Sequence, residues 1–212
     1  MPTTLSPVQI ITRKIFRPDY GMNIDYPVVI GMRNTAVQMK INGAIFSLVN
    51  KLIYDQTNQL VNIQGINPLP KLTVQGFYEI KTNERDVLSL SIGNYTMAEH
   101  AAHGLTIIKS LTFDIATGRS YTLNELFKPG SNYVQVLSEN ISQQIKERDI
   151  TLLEEFKGIK PNQDYYISDK VLVIYFQVYE ITAYVFGFPY FPISVYDIQD
   201  IIAEGSPLYR MI

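Results

Sequence analysis

The sequence predicts an α+β fold, in which amphipathic helices pack on an antiparallel sheet and two intertwined modules form one body. Apolar residues alternate with polar ones in three consecutive segments between residues 70 and 116, as is typical of strands buried on one face. Two other segments repeat apolar residues at helical spacing. The chain has 212 residues, 46% of them apolar, so it can bury a sizeable core.

The N-terminal elements are predicted to be two strands and a long helix. Strands over 8–16 and 24–32 flank the turn-rich stretch "RPDYG". Asn34 is a suitable N-cap for an amphipathic helix over 35–56. Gly43 lies inside this helix and costs about 1 kcal/mol relative to alanine. We therefore expect Gly43 to allow close packing of the helix on the sheet.

The sheet between residues 70 and 116 is predicted from "LTVQGFYEIKT", "VLSLSIG" and "LTIIKSLTFDI". The stretches "NERD" at 83–86 and "ATGR" at 116–119 have the composition of hairpin turns. The stretch "EHAAHG" at 99–104 falls between the second and third strands and is predicted to be a loop.

The second half begins with a predicted capping box, since Glu125 follows Thr122 by three residues. A second amphipathic helix is predicted over 131–148, and a strand buried on both faces over 170–181. We expect this strand to continue the sheet of residues 70–116. The chain then forms a strand fragment and a helix with Ser194 as N-cap and Gly205 at its end.

Composition excludes several classes of function. The chain has no cysteine, which rules out disulfides and thiolate chemistry. The net charge is −2 with no basic cluster, which argues against nucleic acid as a partner. No segment has the length and apolar character of a transmembrane helix, and the first 16 residues do not resemble a secretory signal peptide. No phosphate-binding or nucleophile motif indicates a cofactor or catalytic residues.

The two histidines of the chain, His100 and His103, lie in the "EHAAHG" loop beside Glu99. Zinc is held by three or four nitrogen, sulfur or oxygen ligands, and these three side chains are the candidate set for a metal-dependent hydrolase. The spacing does not match HExxH. The alternative is a tight loop in which His103 hydrogen-bonds to neighbouring backbone, and we predict no metal site.

The stretch from 175 to 196 is rich in aromatic residues, with nine Tyr and Phe. Most of these rings are expected in the core, but an irregular segment containing Gly187 and Pro189 cannot bury all of them. We expect at least one of Tyr184, Phe188 and Tyr190 to be exposed and to contact a ligand. Alternation of side chains would place Tyr184, Phe186 and Phe188 on one side of the segment and Val185 on the opposite side.

Glu180 lies in the same apolar run, where its carboxylate must be paired or must titrate abnormally. A structural pair is the simpler interpretation.

These motifs together resemble the paired DUF4163 and DUF3298 modules. The matching segments are "AHG" at 102–104, "FDIATG" at 113–118, the "LF" pair at 126–127, and "YFQVYE" with Tyr179 and Glu180. The resemblance implies a DUF4163-like module over 8–116 and a DUF3298-like module over 117–204. Such modules occur in the extracellular part of RsiV-type anti-sigma factors and in the peptidoglycan deacetylase PdaC.

The resemblance implies no catalytic residues and an extracytoplasmic location. Because no signal peptide is evident, a cytoplasmic location is the alternative. In the anti-sigma relatives the modules bind lysozyme. We therefore favour a non-enzymatic binding or sensing module of the bacterial cell envelope. Its ligand would be a lysozyme-like protein or a cell-wall glycan, with Tyr179, Glu180, Tyr184, Phe188, Tyr190 and His103 as candidate contacts. A metal-dependent hydrolase and a structural partner domain are the alternatives, and the sequence predicts no oligomeric state.

Overall fold

Two long helices and nine strands account for most of the regular structure in the computed structural model, which describes residues 7–64 and 71–212. The helices are α1 (Thr35–Gln64) and α2 (Tyr133–Glu147). The strands are β1 (Gln9–Arg17), β2 (Met22–Ile30), β3 (Leu72–Glu84), β4 (Val87–Ala98), β5 (Leu105–Asp114), β6 (Arg119–Ser120), β7 (Tyr165–Ser168), β8 (Val171–Tyr175) and β9 (Tyr190–Ser194). The predicted α+β class is confirmed.

The strands form a six-stranded sheet in the order β1-β2-β3-β4-β5-β6 and a three-stranded sheet in the order β7-β8-β9. The larger sheet is mixed, because β2 pairs with β3 in parallel, whereas β1 and β2 form an antiparallel hairpin. The predicted start of the sheet near residue 70 lies outside the described residues. Neither long helix, as far as it is described, combines the length and apolar character needed to cross a bilayer.

The chain divides into two compact units. The first unit comprises Val8–Glu79 and Ser91–Lys109, and the second comprises Ile80–Leu90 and Ser110–Ile212. Strands β3, β4 and β5 therefore contribute residues to both units.

In the first unit, α1 is longer than predicted but begins where its cap was expected. Asn34 Oδ1 accepts a hydrogen bond from the Val37 amide at 3.2 Å. The buried face of α1 carries the predicted apolar residues, which are Val37, Ile41, Ile45, Val49 and Leu52. Asn42 ties this helix to β2, because its side-chain amide exchanges two 2.8 Å hydrogen bonds with the backbone of Val29.

The expectation for Gly43 was wrong. Gly43 is exposed, and a Cβ added to it would meet no atom within 4 Å apart from the helix itself. The helical spacing located the buried face correctly, and Gly43 lies outside that face.

In the second unit, α2 and one face of the three-stranded sheet enclose a core. The buried α2 residues Leu137, Ile141 and Ile145 join this core, as the predicted helix over 131–148 required. The capping box is confirmed on a short 3₁₀ turn, Leu123–Leu126. There Glu125 Oε2 accepts from the Thr122 amide at 2.8 Å.

The predicted strand over 170–181 is confirmed only as β8, and its placement in the large sheet was wrong. β8 is the central strand of the smaller sheet, between β7 and β9, and its residues Leu172–Tyr175 are all buried. It ends at Tyr175 because the chain then turns at Gln177–Glu180, where the Glu180 amide donates to Gln177 O at 3.0 Å.

The predicted C-terminal helix is replaced by 3₁₀ turns at Val195–Asp197 and Gln199–Ile201. Ser194 does accept a hydrogen bond from the Tyr196 amide at 3.3 Å, as an N-cap should. Ile202 then forms a bridge with Phe127, and this backbone pairing competes with helical hydrogen bonds.

The turn after β5 is held by Asp114. Its Oδ1 accepts from the Ala116 and Thr117 amides at 2.8 and 3.3 Å, and its Oδ2 accepts from Arg210 Nη2 at 2.7 Å. Gly118 has φ +66°, which a glycine adopts without strain. The predicted hairpin turn is therefore present, and it is fixed by a residue 96 positions away.

We predict that Asp114→Ala lowers the free energy of unfolding by about 2–4 kcal/mol, because it removes three hydrogen bonds and leaves the half-buried Arg210 without its anion. Urea denaturation measures this change. Asp55→Ala breaks the exposed Lys51–Asp55 pair and should cost less than about 1 kcal/mol. Equal effects of the two substitutions would contradict the prediction.

Candidate functional site

The structure distributes the six candidate residues over three places. Tyr179, Glu180 and Tyr184 lie at or beside a cleft in the second unit. Phe188 and Tyr190 belong to a separate aromatic cluster in that unit. His103 lies in the loop between β4 and β5, in the first unit. Within the second unit, the candidates therefore fall into two groups, the cleft residues and the aromatic cluster.

The cleft has a volume of ≈ 360 Å³ and lies between the segment after α2 and the segment after β8. The amide of Leu153 donates to Ile181 O at 2.9 Å, which joins the two segments. Phe156 and Phe176 meet edge to face, with ring centroids 6.0 Å apart, and form an apolar part of the lining. The lining residues are Leu153, Glu154, Glu155, Phe156, Lys157, Gly158, Lys160, Gln163, Phe176, Tyr179, Glu180 and Ile181.

Glu180 is the principal polar group of the cleft. Its Oε1 accepts from Lys160 Nζ at 2.8 Å and from Gln163 Nε2 at 3.4 Å, and its Oε2 accepts from the Gln177 amide at 2.9 Å. Burial raises the pKa of Glu180, but the hydrogen bonds from Lys160 and Gln177 outweigh it, so the pKa of this carboxyl is lowered from its ordinary value. The carboxylate is therefore ionised and paired at neutral pH, as the simpler interpretation of the sequence required.

Tyr179 has a left-handed backbone conformation, with φ +67°. Tyrosine rarely adopts this region, because its Cβ approaches the following carbonyl oxygen. The Gln177–Glu180 turn holds it there, through the Glu180 amide and the Glu180 carboxylate. The Tyr179 side chain is 50% exposed, and its ring centroid lies 5.5 Å from that of Tyr184.

Tyr184–Phe186 form a 3₁₀ turn that exposes three consecutive apolar side chains. Tyr184 is 40% exposed, Val185 94% and Phe186 44%. The predicted exposure of at least one ring is confirmed at Tyr184. The predicted alternation was wrong, because alternation requires an extended strand and this segment is a turn.

Phe188 and Tyr190 are half-buried and pack with other rings. The Tyr190 centroid lies 5.8 Å from Tyr175, 6.2 Å from Tyr166 and 6.5 Å from Phe188. Tyr175 is fully buried and shares a 2.8 Å hydrogen bond with Ser110. Whether Phe188 and Tyr190 touch a ligand stays a prediction, but their positions favour a packing role.

Sequence reasoning missed Lys160, Gln163 and Leu153. Lys160 and Gln163 lie in an irregular segment with no periodicity, and their pairing with Glu180 spans 17–20 residues. Leu153 is more than half exposed, which periodicity cannot indicate outside a helix or strand. The only sequence signal was the positive charge of Lys160 and the polar side chain of Gln163, which are suitable partners for a glutamate in an apolar run.

The cleft falls within the part of the chain that resembles a known family. Residues 124–196 match the family DUF3298, described as a protein of unknown function. Among curated proteins, none matches the chain.

Solved structures of DUF3298 family members share the fold. One from Bacteroides fragilis is 13% identical, with a TM-score of 0.72 over 99% of each chain. One from Pseudomonas aeruginosa is 10% identical, with a TM-score of 0.70 over 94% of this chain and 96% of its own. At these identities the similarity establishes the fold alone, and it extends well beyond the segment that matches the family.

The histidine loop has the geometry of a tight turn. His100 has φ +66°, and His103 Nδ1 lies 3.2 Å from the carbonyl oxygen of Gly104. Within residues 7–64 and 71–212, no group of three or more His, Cys, Asp or Glu side chains is placed to hold a metal ion. The Glu99, His100 and His103 set therefore lacks the arrangement of a metal centre.

We predict that zinc does not raise the melting temperature. A metal that binds only the folded chain would stabilise it by about 2.7 kcal/mol at a hundredfold excess over Kd. Differential scanning fluorimetry with and without zinc measures the shift, and His100→Ala and His103→Ala provide the control. A shift of several degrees that both substitutions abolish would instead establish a metal site in this loop.

Proposed function

We propose that the chain is a non-enzymatic binding module of cell-envelope type and that its ligand contacts the surface formed by Tyr179, Tyr184, Val185 and Phe186, together with the adjoining cleft. The observation that carries the proposal is the left-handed conformation of Tyr179, whose ring is half-exposed at the rim of the cleft. The candidate contact Glu180 stabilises the turn, because its carboxylate accepts a hydrogen bond from the Gln177 amide.

Stability accounts only in part for a tyrosine at this position, through the contact of its ring with that of Tyr184. A left-handed non-glycine residue costs about 1–2 kcal/mol, and glycine would remove that cost. A ring that remains half-exposed recovers only part of its burial energy. Strain of this kind concentrates at functional sites, where the surrounding structure fixes a side chain for contact with a ligand.

The exposed side chains favour a protein over a glycan at this surface. Val185 is almost fully exposed, and Leu153 extends the apolar surface beside the cleft. Aliphatic side chains bury well against a protein, but they offer a sugar neither a flat ring nor a hydrogen bond. Aromatic residues that surround a pocket are typical anchors of protein interfaces.

The family resemblance supplies the first protein to test. RsiV-type relatives bind lysozyme, and the DUF3298 match includes every lining residue of the cleft. A lysozyme-like protein is therefore the proposed partner, with a cell-wall glycan as the alternative. The division into a DUF4163-like module over 8–116 and a DUF3298-like module over 117–204 is likewise part of this proposal.

We predict that Tyr179→Gly weakens lysozyme binding at least tenfold, while the free energy of unfolding changes by less than about 1 kcal/mol. Relief of the strained φ offsets the added entropy that glycine gives the unfolded chain. Tyr184→Ala should also weaken binding at least tenfold. Calorimetric titration with lysozyme gives the affinity, and urea denaturation gives the stability.

Tyr209→Ala is the matched control, because Tyr209 is an exposed tyrosine of the same unit outside the cleft. It should leave binding unchanged. The proposed surface is wrong if Tyr179→Gly and Tyr184→Ala both bind like the wild type. Binding of peptidoglycan fragments but not lysozyme would favour the glycan alternative.

A further inference from the structure

Two aromatic rings of the first unit lie across glycines, one in a neighbouring strand and one just before the start of β5. The tip of the Phe77 ring, in β3, occupies the space beside Gly93 in β4, where an added Cβ would lie 2.2 Å from Cζ. The Tyr95 ring, in β4, lies in the same way over Gly104, where an added Cβ would come within 2.3 Å of Cε2. Any side chain at either glycine would displace the ring.

Both rings lie on one face of the sheet. Gly93 and Tyr95 are two residues apart in β4, so their side-chain directions coincide, with a separation of roughly 7 Å. Asn94, between them, points the other way and donates to Gln56 of α1 at 2.6 Å. The two rings therefore lie on the face opposite α1, and we call the pair the Phe77–Tyr95 platform.

The platform is open to a ligand at one ring and supported at the other. Phe77 is 41% exposed, although its tip rests on Gly93. Tyr95 is half-buried, and its hydroxyl donates to Met97 Sδ at 3.1 Å. Gln75 and Glu79 are exposed and stand two residues either side of Phe77 in β3, on the same face.

Sheet stability explains only part of this arrangement. An aromatic ring that lies over a glycine in a sheet covers the backbone that the glycine leaves bare. This packing explains why one side of each ring lies against the sheet. A glycine in a strand also allows another molecule to approach closely. The exposed side of Phe77 has no packing role.

We propose that the Phe77–Tyr95 platform binds an oligosaccharide, with a pyranose ring stacked on the exposed Phe77 ring and hydroxyls bonded to Gln75 and Glu79. The C–H face of a sugar is weakly positive and apolar, which complements the negative face of an aromatic ring. Amide and carboxylate side chains beside the ring match the hydroxyls of a sugar.

Charge disfavours nucleic acid, which also stacks on aromatic rings. Nucleic acid requires cations along the track of the backbone. β3 carries two carboxylates, Glu79 and Glu84, against a single lysine, Lys81, and the chain carries a net charge of −2. This inference uses residues of the first unit and is independent of the surface proposed above.

The absence of tryptophan from the chain allows a site-specific test. Phe77→Trp places the single indole on the platform and should strengthen stacking. We expect a saturable change in Trp emission on titration with β-1,4-linked hexamers of N-acetylglucosamine or of glucose. Tyr54→Trp is the matched control, because Tyr54 is 67% exposed on the solvent face of α1. It should not respond.

Gly93→Ala in the Phe77→Trp background tests the geometry. The new Cβ lifts the ring tip from the sheet, so affinity should fall at least tenfold while the melting temperature is retained. For the wild-type chain, affinity electrophoresis in gels containing each glycan should show retardation that Phe77→Ala abolishes. The proposal is overturned if neither hexamer is bound, if Tyr54→Trp responds equally, or if Gly93→Ala has no effect.

Discussion

The geometry of the cleft depends on one carboxylate, that of Glu180. It receives hydrogen bonds from a lysine, a glutamine and a backbone amide, and these three donors come from both segments that line the cleft. The Gln177 amide bond closes the turn that contains Tyr179, and the Lys160 bond fixes the opposite wall. Because charge-assisted bonds of this kind are the strong ones, a single ionised group can hold a left-handed tyrosine in place.

The two units use different means to hold an aromatic ring at the surface. In the second unit, a strained backbone angle directs the ring of Tyr179 outward, at a cost of about 1–2 kcal/mol. In the first unit, Gly93 and Gly104 remove the side chains that would push the rings of Phe77 and Tyr95 away from the sheet. If these surfaces bind the proposed ligands, both arrangements would place the ring before binding, which would lower the entropy lost on binding.

The sequence predicted the elements that depend on local patterns. Period-2 alternation located β3, β4 and β5, helical spacing located α1 and α2, and turn composition located the hairpins. It failed where distant segments decide the outcome. Nothing local indicates that β8 joins a separate sheet, that β2 pairs in parallel with β3, or that Ile202 pairs with Phe127 instead of continuing a helix.

The candidate site was predicted to a similar extent. The sequence predicted an exposed ring in the aromatic-rich segment with Gly187 and Pro189, and it favoured a paired Glu180 over one that titrates abnormally. The identity of the partners could not be predicted, because Lys160 and Gln163 come from an irregular segment. The left-handed backbone conformation of Tyr179 could not be predicted either, because tyrosine is not a residue type that indicates such a turn.

Amide hydrogen exchange at Gln177 and Glu180 tests most directly whether the Glu180 carboxylate holds this turn. Both amides donate within the turn, to the Glu180 side chain and to Gln177 O respectively. Exchange should be slow in the wild type and at least tenfold faster in Glu180→Ala, while the amides of α2 keep their protection. Unchanged exchange at both amides would contradict the account, because the turn would then be independent of the carboxylate.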